Sequence, residues 1–350
     1  NGANQLTGTA GQKRVPREFV AKCPFPLPPL EEQKRIISKV DELMELCDRA
    51  QASKKNRNEL QQQLRRSAIH ALETAETEED FKKSWHFVRE NFSAILSSPN
   101  DLQCLRQLIL ILGIKGLLVP QQHEDGFASK LLGQIKLQKH DLIKNKKLKK
   151  NKELPIPKDE EKPFKIPENW IWTKIDHVCL KVTDGFHSTP KTLKKGIPFI
   201  TAQYIISSGL QFDNCLYVSE EDHKYLLEKT RPSKGDILVV NIGAGCGNPA
   251  IIDVDFEFSF KNVAILKKSI GLDSQYMYYF WLGQRDLLFQ QLTKGGAQPF
   301  LSLKKIRNIP FPLPPLEEQQ RIVTKVDELI KLCDRVEENL SKKEELASAI

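Results

Sequence analysis

Residues 310–335 read PFPLPPLEEQQRIVTKVDELIKLCDR and residues 24–49 read PFPLPPLEEQKRIISKVDELMELCDR, with 21 of 26 positions identical at a constant offset of 286. A repeat this close sets the architecture before any other feature does. Each copy is a proline-rich extended segment that turns into an amphipathic helix. Proline lacks a backbone N–H but fits the first helical turn, so Pro28-Pro29 end the extended stretch and open the helix. Glu31 and Glu32 then fall in the first turn, where the helix dipole favours negative charge. Ile36, Val40, Leu43, Cys47 and Ala50 follow at alternating spacings of four and three, an a/d seam. Lys54, Arg57 and Gln61 interrupt it before Leu64, Ala68 and Ala71 resume it. The pattern predicts a helix from Pro29 to Leu72, about 66 Å long at ~1.5 Å per residue. Such a helix needs a partner, and the second copy offers one: Ile322, Val326, Leu329, Cys333, Val336 and Leu340 carry on the same seam. The charged residues of that second helix read as its solvated face. Cys47 and Cys333, equivalent in the repeat, read as core packing.

Working outward, residues 1–23 do not look like the start of a domain. They align only weakly with 293–309 but follow the same order of small-residue loop, short amphipathic segment and proline turn, and so read as the tail of a first domain. Residues 24–150 form a central region of repeat and spacer helices. Within it, 73–99 is a helical insertion whose Phe81, Trp85, Val88, Phe92 and Ile95 recur at helical spacing, a pattern that favours core over a ligand site. Leu102 to Leu112 and Phe127 to Lys144 read as two more helices. Residues 141–152 hold six lysines against one aspartate, and the proline- and charge-rich run beyond them makes 151–163 a linker. From 164 to 309 short β-rich runs alternate with glycine turns. Strands are expected at 170–172, 197–206, 236–242, 250–253 and 256–266, with a helix over 274–292. The fold class is α+β: a β-rich domain at 164–309, flanked by long antiparallel coiled-coil helices, with 310–350 as the second repeat helix.

A net charge of +8 favours a polyanionic partner without naming one. The seven cysteines are dispersed and contain no CxxC pair, which argues against a disulfide framework and a zinc site and for reduced, cytoplasmic thiols. The longest apolar run, Leu108 to Leu112, is far too short to span a bilayer, so no membrane partner is expected.

No catalytic constellation emerges. Glu32-Gln33-Lys34 has the E-x-K form found in many nucleases, yet the lysine position is Gln320 in the second copy. GAGCGNP at 243–249 lacks GK[ST] and runs into a strand-like AIID, unlike a phosphate loop. Asn248-Pro249-Ala250 falls short of the N-P-P-aromatic signature of amino-methyltransferases, and no histidines pair at metal spacing, so catalytic and metal residues are none. What remains is a set of polar loops. TDGFHSTPK contributes Thr183, Gly185, His187, Ser188, Thr189 and Lys191; TAQY contributes Gln203 and Tyr204. NIGAGCGN contributes Asn241, Gly243, Gly245 and Asn248; LTKGGAQP contributes Lys294, Gly295 and Gln298. Amides and hydroxyls suit base edges, lysines suit phosphates, and glycine admits a close backbone, so these are the candidate DNA-binding residues. For each the plain alternative is a surface turn.

The repeat PFPLPPLEEQxRI, with KVDEL and LCDR after it, resembles that of the DNA specificity subunit of type I restriction-modification enzymes. The resemblance extends to LRQLILILGIKGLLVPQ (105–121), to PFKIPENWIW (163–172) as the opening of a target-recognition domain, and to GGAQPFLSLKKIRNIPFPLPPL (295–316) as its close. It covers nearly the whole chain except 73–99. It implies a non-catalytic, sequence-specific DNA-binding subunit with two recognition domains, each reading half of a bipartite site, held apart by paired helices. The implied partners are double-stranded DNA, modification (methyltransferase) subunits and restriction subunits. S-adenosylmethionine, ATP and magnesium would be bound by those partners and no cofactor by this chain. Only one recognition domain is complete here, so the chain reads as part of a longer subunit. The alternatives are a half-subunit that homodimerises on a palindromic bipartite site, or a non-catalytic coiled-coil scaffold.

Overall fold

The structure, a computed structural model, describes residues 15, 17–74, 78–95, 101–186, 188–206, 209–243, 245–293 and 299–348. The helical part comprises α1 (Arg17–Lys22), α2 (Leu30–Glu73), α3 (Glu78–Glu90), α4 (Phe92–Ile95), α5 (Asp101–Ile114) and α6 (Ala128–Lys144). The β-rich body runs through β1 (Ile171–Lys174), α7 (Ile175–Val178), β2 (Val182–Asp184), β3 (Ile197–Ile200), β4 (Ile205–Ile206), β5 (Gly209–Leu210) and β6 (Leu216–Val218). It continues with α8 (Glu220–Thr230), β7 (Ile237–Val240), β8 (Pro249–Ile251), β9 (Ser259–Phe260), β10 (Val263–Leu266) and α9 (Ser274–Thr293). α10 (Leu303–Asn308), β11 (Pro310–Leu313) and α11 (Leu316–Ser348) complete the chain, a mixed α+β protein. It divides into two compact units, Asn1–Gln63 and Leu64–Ile350.

In the first unit α2 begins where the proline rule puts it. The N–H groups of Glu32 and Gln33 both donate to the Pro29 carbonyl, at 2.9 and 3.0 Å. Gln33 Nε2 donates to the Pro28 carbonyl at 2.8 Å, which ties the proline turn to the helix. The seam over Ile36, Val40 and Leu43 is exposed. Cys47 is exposed too, a correction to the core role expected for it.

In the second unit the seam is buried. α11 packs on α5 and α9, and Ile322, Val326 and Cys333 join a core with Leu108, Leu112 and Trp281. Small residues let these helices approach. A Cβ on Gly113 would lie 3.2 Å from Ile322 Cγ2, and one on Gly283 would lie 3.4 Å from Leu110 Cβ. The last turns of α2 enter the same core through Ala68 and Leu72. Arg65 there pairs with buried Asp101 at 2.6 Å. In the insertion Val88 and Ile95 are buried and Trp85 is exposed, while the side chains of Phe81 and Phe92 lie outside those described.

The body is built on an antiparallel sheet in the order β2-β10-β7-β8. Side chains alternate across a strand, so Ile237 and Val239 of β7 face the helical core while Leu238 and Val240 face a second core containing Phe258 and Phe260. A sheet covered on both faces needs no polar side, which is why ILVV and VAIL read as unbroken apolar runs. A smaller sheet, β6-β3-β9, lies beyond it, with β3 and β9 parallel. The expected run 256–266 is therefore two strands of different sheets, separated by Lys261-Asn262, and Asn262 takes the left-handed φ of 57° that the corner needs. Likewise 197–206 splits into β3 and β4 around a tight turn at Ala202–Tyr204.

β1 and β11 pair antiparallel, Ile171 opposite Leu313 and Lys174 opposite Pro310. The body is thus closed at a two-stranded neck, and the proline-rich half of the second repeat is one of its strands. α11 then starts with a buried polar cluster. Gln319 Nε2 donates to the carbonyls of Gly271 (3.2 Å) and Pro314 (3.1 Å), and its Oε1 accepts from Asp273 N at 2.8 Å. Glu318 accepts from Gln121 at 2.6 Å and Asn169 at 3.3 Å. Arg321 makes a two-pronged pair with Asp125 at 2.7 and 2.5 Å. Glu318 and Arg321 depart from the expected solvated face because each holds a segment at the helix start, while Glu328, Lys331, Asp334, Arg335 and Glu338 are exposed as expected. Among the described residues, no helix is long and apolar enough to cross a membrane.

Candidate nucleic-acid interface

The strands of the main sheet deliver most of the candidate loops to one end. β2 exits toward Gly185, β10 is entered from Lys261, and β7 exits toward Asn241. Gly185 N donates to the Val263 carbonyl at 3.1 Å and Phe186 N to the Phe260 carbonyl at 3.0 Å, which fixes the start of the 185–191 loop. Lys261 Nζ donates to Thr189 Oγ1 at 2.6 Å, while its N–H donates to the Ile200 carbonyl at 3.1 Å. One lysine thus links that loop to the end of β3, from which the Ala202–Tyr204 turn departs. On the far side, Gly243 N donates to the Pro299 carbonyl at 3.0 Å and Leu301 N to the Asn241 carbonyl at 2.8 Å.

The candidate residues separate by environment. Ser188, Thr189, Lys191 and Gln203 are exposed, with Thr189 Oγ1 also accepting from Lys261. Lys194 and Lys195 extend the same exposed basic stretch, and Lys261 is half-buried beside it. Tyr204 is half-buried and its hydroxyl donates to the Asn214 carbonyl at 3.1 Å. Thr183 is buried on β2 opposite Ile265, and a Cβ on Gly185 would lie 2.1 Å from the Phe260 carbonyl oxygen, so both positions have packing reasons of their own. Gly243 takes a φ of 93°, which the turn between β7 and β8 requires, and Gly245 is half-buried in that turn. Asn241 is buried with its Oδ1 unpartnered among the described residues. Asn248 stands apart, lining a groove of about 640 Å³ with Gln275 and Tyr278 of α9. His187, Lys294, Gly295 and Gln298 lie outside the described residues.

Lys261 is the residue that reading loop by loop passes over. It sits inside an apolar run, SFKNVAIL, where a single lysine interrupting strand-like sequence marks the corner. The chemistry on offer among the described residues at this end is hydroxyl, amide and ammonium, suited to phosphate oxygens and base edges. Elsewhere His223 contacts Ser259 Oγ and Glu257 Oε2, each at 3.1 Å. Ser259 is fully buried, so that trio acts in packing. Burial pushes the thiol of Cys179 up to about 12 and that of Cys246 up to about 11, so neither offers a thiolate at neutral pH. Among the described residues, no three His, Cys, Asp or Glu side chains cluster to hold a metal ion.

Residues 167–346 match the family described as the type I restriction modification DNA specificity domain. The chain is 31% identical over 343 residues to the type I restriction enzyme EcoAI specificity subunit of Escherichia coli, covering 96% of this chain and 58% of that protein. It is 28% identical over 355 residues to the EcoEI specificity subunit of the same species, covering 97% of this chain and 59% of that protein. The crystal structure of the HsdS subunit from Thermoanaerobacter tengcongensis aligns with 97% of this chain and 62% of that one, at 19% identity and a TM-score of 0.43. The chain spans a little under 60% of the length of the two Escherichia coli relatives.

Proposed function

Because the chain belongs to the type I restriction-modification DNA specificity family, we propose that its 164–309 body reads one half of a bipartite DNA site. It does so as a non-catalytic subunit that docks modification and restriction subunits. The observation that carries this reading is the convergence of the loop 185–191, the turn 202–204 and Lys261 at one end of the sheet, with exposed lysines beside exposed hydroxyls and an amide. Lys191, Lys194, Lys195 and Lys261 supply phosphate contacts that set register. Ser188, Thr189 and Gln203 supply the groups able to read base edges. His187, Lys294, Gly295 and Gln298, outside the described residues, remain candidates of the same kind.

Mapping of methylated adenines after co-expression with the cognate modification subunit tests the reading. Exchange of the body for that of a relative is expected to change one half-site only; a change in both halves, or in neither, would refute it. Phosphate contacts release counterions, so duplex affinity of the chain falls steeply with salt, and Lys191→Ala is expected to lower the slope of log K against log salt by about 1.

A further inference from the structure

We propose that the lysine-edged groove between α6 and residues 148–153 docks an acidic amphipathic helix of a partner protein. The groove encloses about 920 Å³. Its apolar part is made by Leu137, Ile143, Leu148 and Leu180, and Leu137 is 67% exposed on the outer face of α6. Six lysines line it against two carboxylates, Glu153 and Asp176. Asp176 is already held by Arg307, with Nε 2.7 Å from Oδ1, and Glu153 lies 3.7 Å from Lys136. Lys130, Lys149, Lys150 and Lys152 have no ion pair among the described residues. The floor is firmly held: His177 meets Thr173 Oγ1 through Nδ1 and the Leu154 carbonyl through Nε2, both at 2.9 Å. Lys139 Nζ donates to the Asp176 carbonyl.

Position separates this groove from the DNA-reading face. Leu180 N donates to the Lys267 carbonyl and Lys267 N to the Lys181 carbonyl, at 2.9 and 2.8 Å. That places the groove's inner wall at the end of the β2-β10-β7 sheet opposite Gly185, Lys261 and Asn241. Chemistry then selects the occupant. A lysine patch alone suits any polyanion, but duplex phosphates have no use for an apolar floor with an exposed leucine. A helix with apolar residues at i, i+3, i+4 and i+7 and carboxylates along its flanks meets both features. The facing α6 has 17 residues, about 25 Å of helix, enough to match several turns.

The proposal is independent of the DNA reading, and one assay separates the two. A fluorescein-labelled peptide of about 18 residues, five turns, carries leucines at spacings of three and four with glutamates elsewhere. Its isomer has the same residues with leucines at every second position. Fluorescence anisotropy with the full chain is expected to give about tenfold tighter binding for the amphipathic peptide. Leu137→Glu, at an exposed site, is expected to remove that tenfold advantage, while Leu332→Glu, at an exposed leucine of α11, and duplex DNA affinity of both variants stay at the wild-type value. Equal binding of the two peptides, no binding of either, or loss of duplex binding in a Lys149→Glu/Lys150→Glu variant matching its loss of peptide binding would overturn the proposal. The last outcome would assign the groove to DNA.

Discussion

Glu318 shows how one side chain can depend on everything around it. It opens α11 where a carboxylate suits the helix dipole, yet it is fully buried. Burial raises its pKa above the ordinary carboxyl value of 4.5, against the lowering effect of the side chains around it. A folded-state pKa above the unfolded one means that the folded chain binds the extra proton. Its contribution is therefore fully present below 4.5 and is lost as pH rises through the folded value. Glu318→Gln is expected to abolish that part of the pH dependence and to match or exceed wild-type stability at pH 7. Glu318→Ala strands the Gln121 and Asn169 donors and is expected to lose about 1–3 kcal/mol. Urea melts from pH 4 to 8 read both. Gly185 makes the second case. It sits in a loop whose composition suggests a ligand, but its missing side chain makes room for a backbone carbonyl. Gly185→Ala is expected to cost about 2–3 kcal/mol of folding stability. The duplex affinity of the fraction that remains folded should be unchanged; selective loss of affinity without loss of stability would return the residue to the binding set.

At the scale of elements, the helix triad of α5, α9 and α11 depends on two glycines at its crossings. Gly283→Leu is expected to push α9 off Leu110 and lower stability by about 1–3 kcal/mol. Gly133 on α6 has open space beyond it, so Gly133→Ala is expected to raise stability by about 0.5–1 kcal/mol through helix propensity. Thermal unfolding of the pair gives opposite signs if the packing is as described. The long helices and the strands β7, β8 and β10 were legible because their period or their unbroken apolar character is local. The helix α8 was not anticipated, although Ser219 caps it by accepting from Asp222 N at 3.1 Å and three acidic residues fill its first turn. Its short length and charged composition hid the buried His223, Leu226 and Thr230 behind a loop-like texture. Of the candidate site, the exposed Ser188, Thr189 and Lys191 were legible as polar loop residues. Lys261 was not, because its partner Thr189 is 72 positions away.

For the whole molecule the neck formed by β1 and β11 is the natural seam. Replacing residues 175–309 within an intact neck is expected to leave the helix triad folded and to transfer half-site specificity. Replacement that also removes 171–174 or 310–313 is expected to lower the melting temperature, because it unpairs four registered residues on each strand. Both outcomes are checked by melting curves beside methylation mapping.

The two copies of the repeat separate what sequence decides from what tertiary structure decides. Both start a helix at the same proline, and both aim the glutamine amide at the same carbonyl, Gln33 at Pro28 and Gln319 at Pro314. Those features need only neighbours in the chain, so near-identical sequence reproduces them. Burial does not follow. Phe311 and Ile322 are 0% and 1% exposed, while their equivalents Phe25 and Ile36 are 81% and 49% exposed. Residues 310–313 find β1 as a strand partner, and Glu318 and Gln319 find Gln121, Asn169, Gly271 and Asp273. No local pattern specifies those contacts, because each partner lies between 46 and 197 positions away. The sequence determined a proline-capped helix with one apolar face, written twice. Only tertiary structure decided how far each copy's apolar face is covered among the described residues, because burial depends on what packs against a face and not on the residues that compose it.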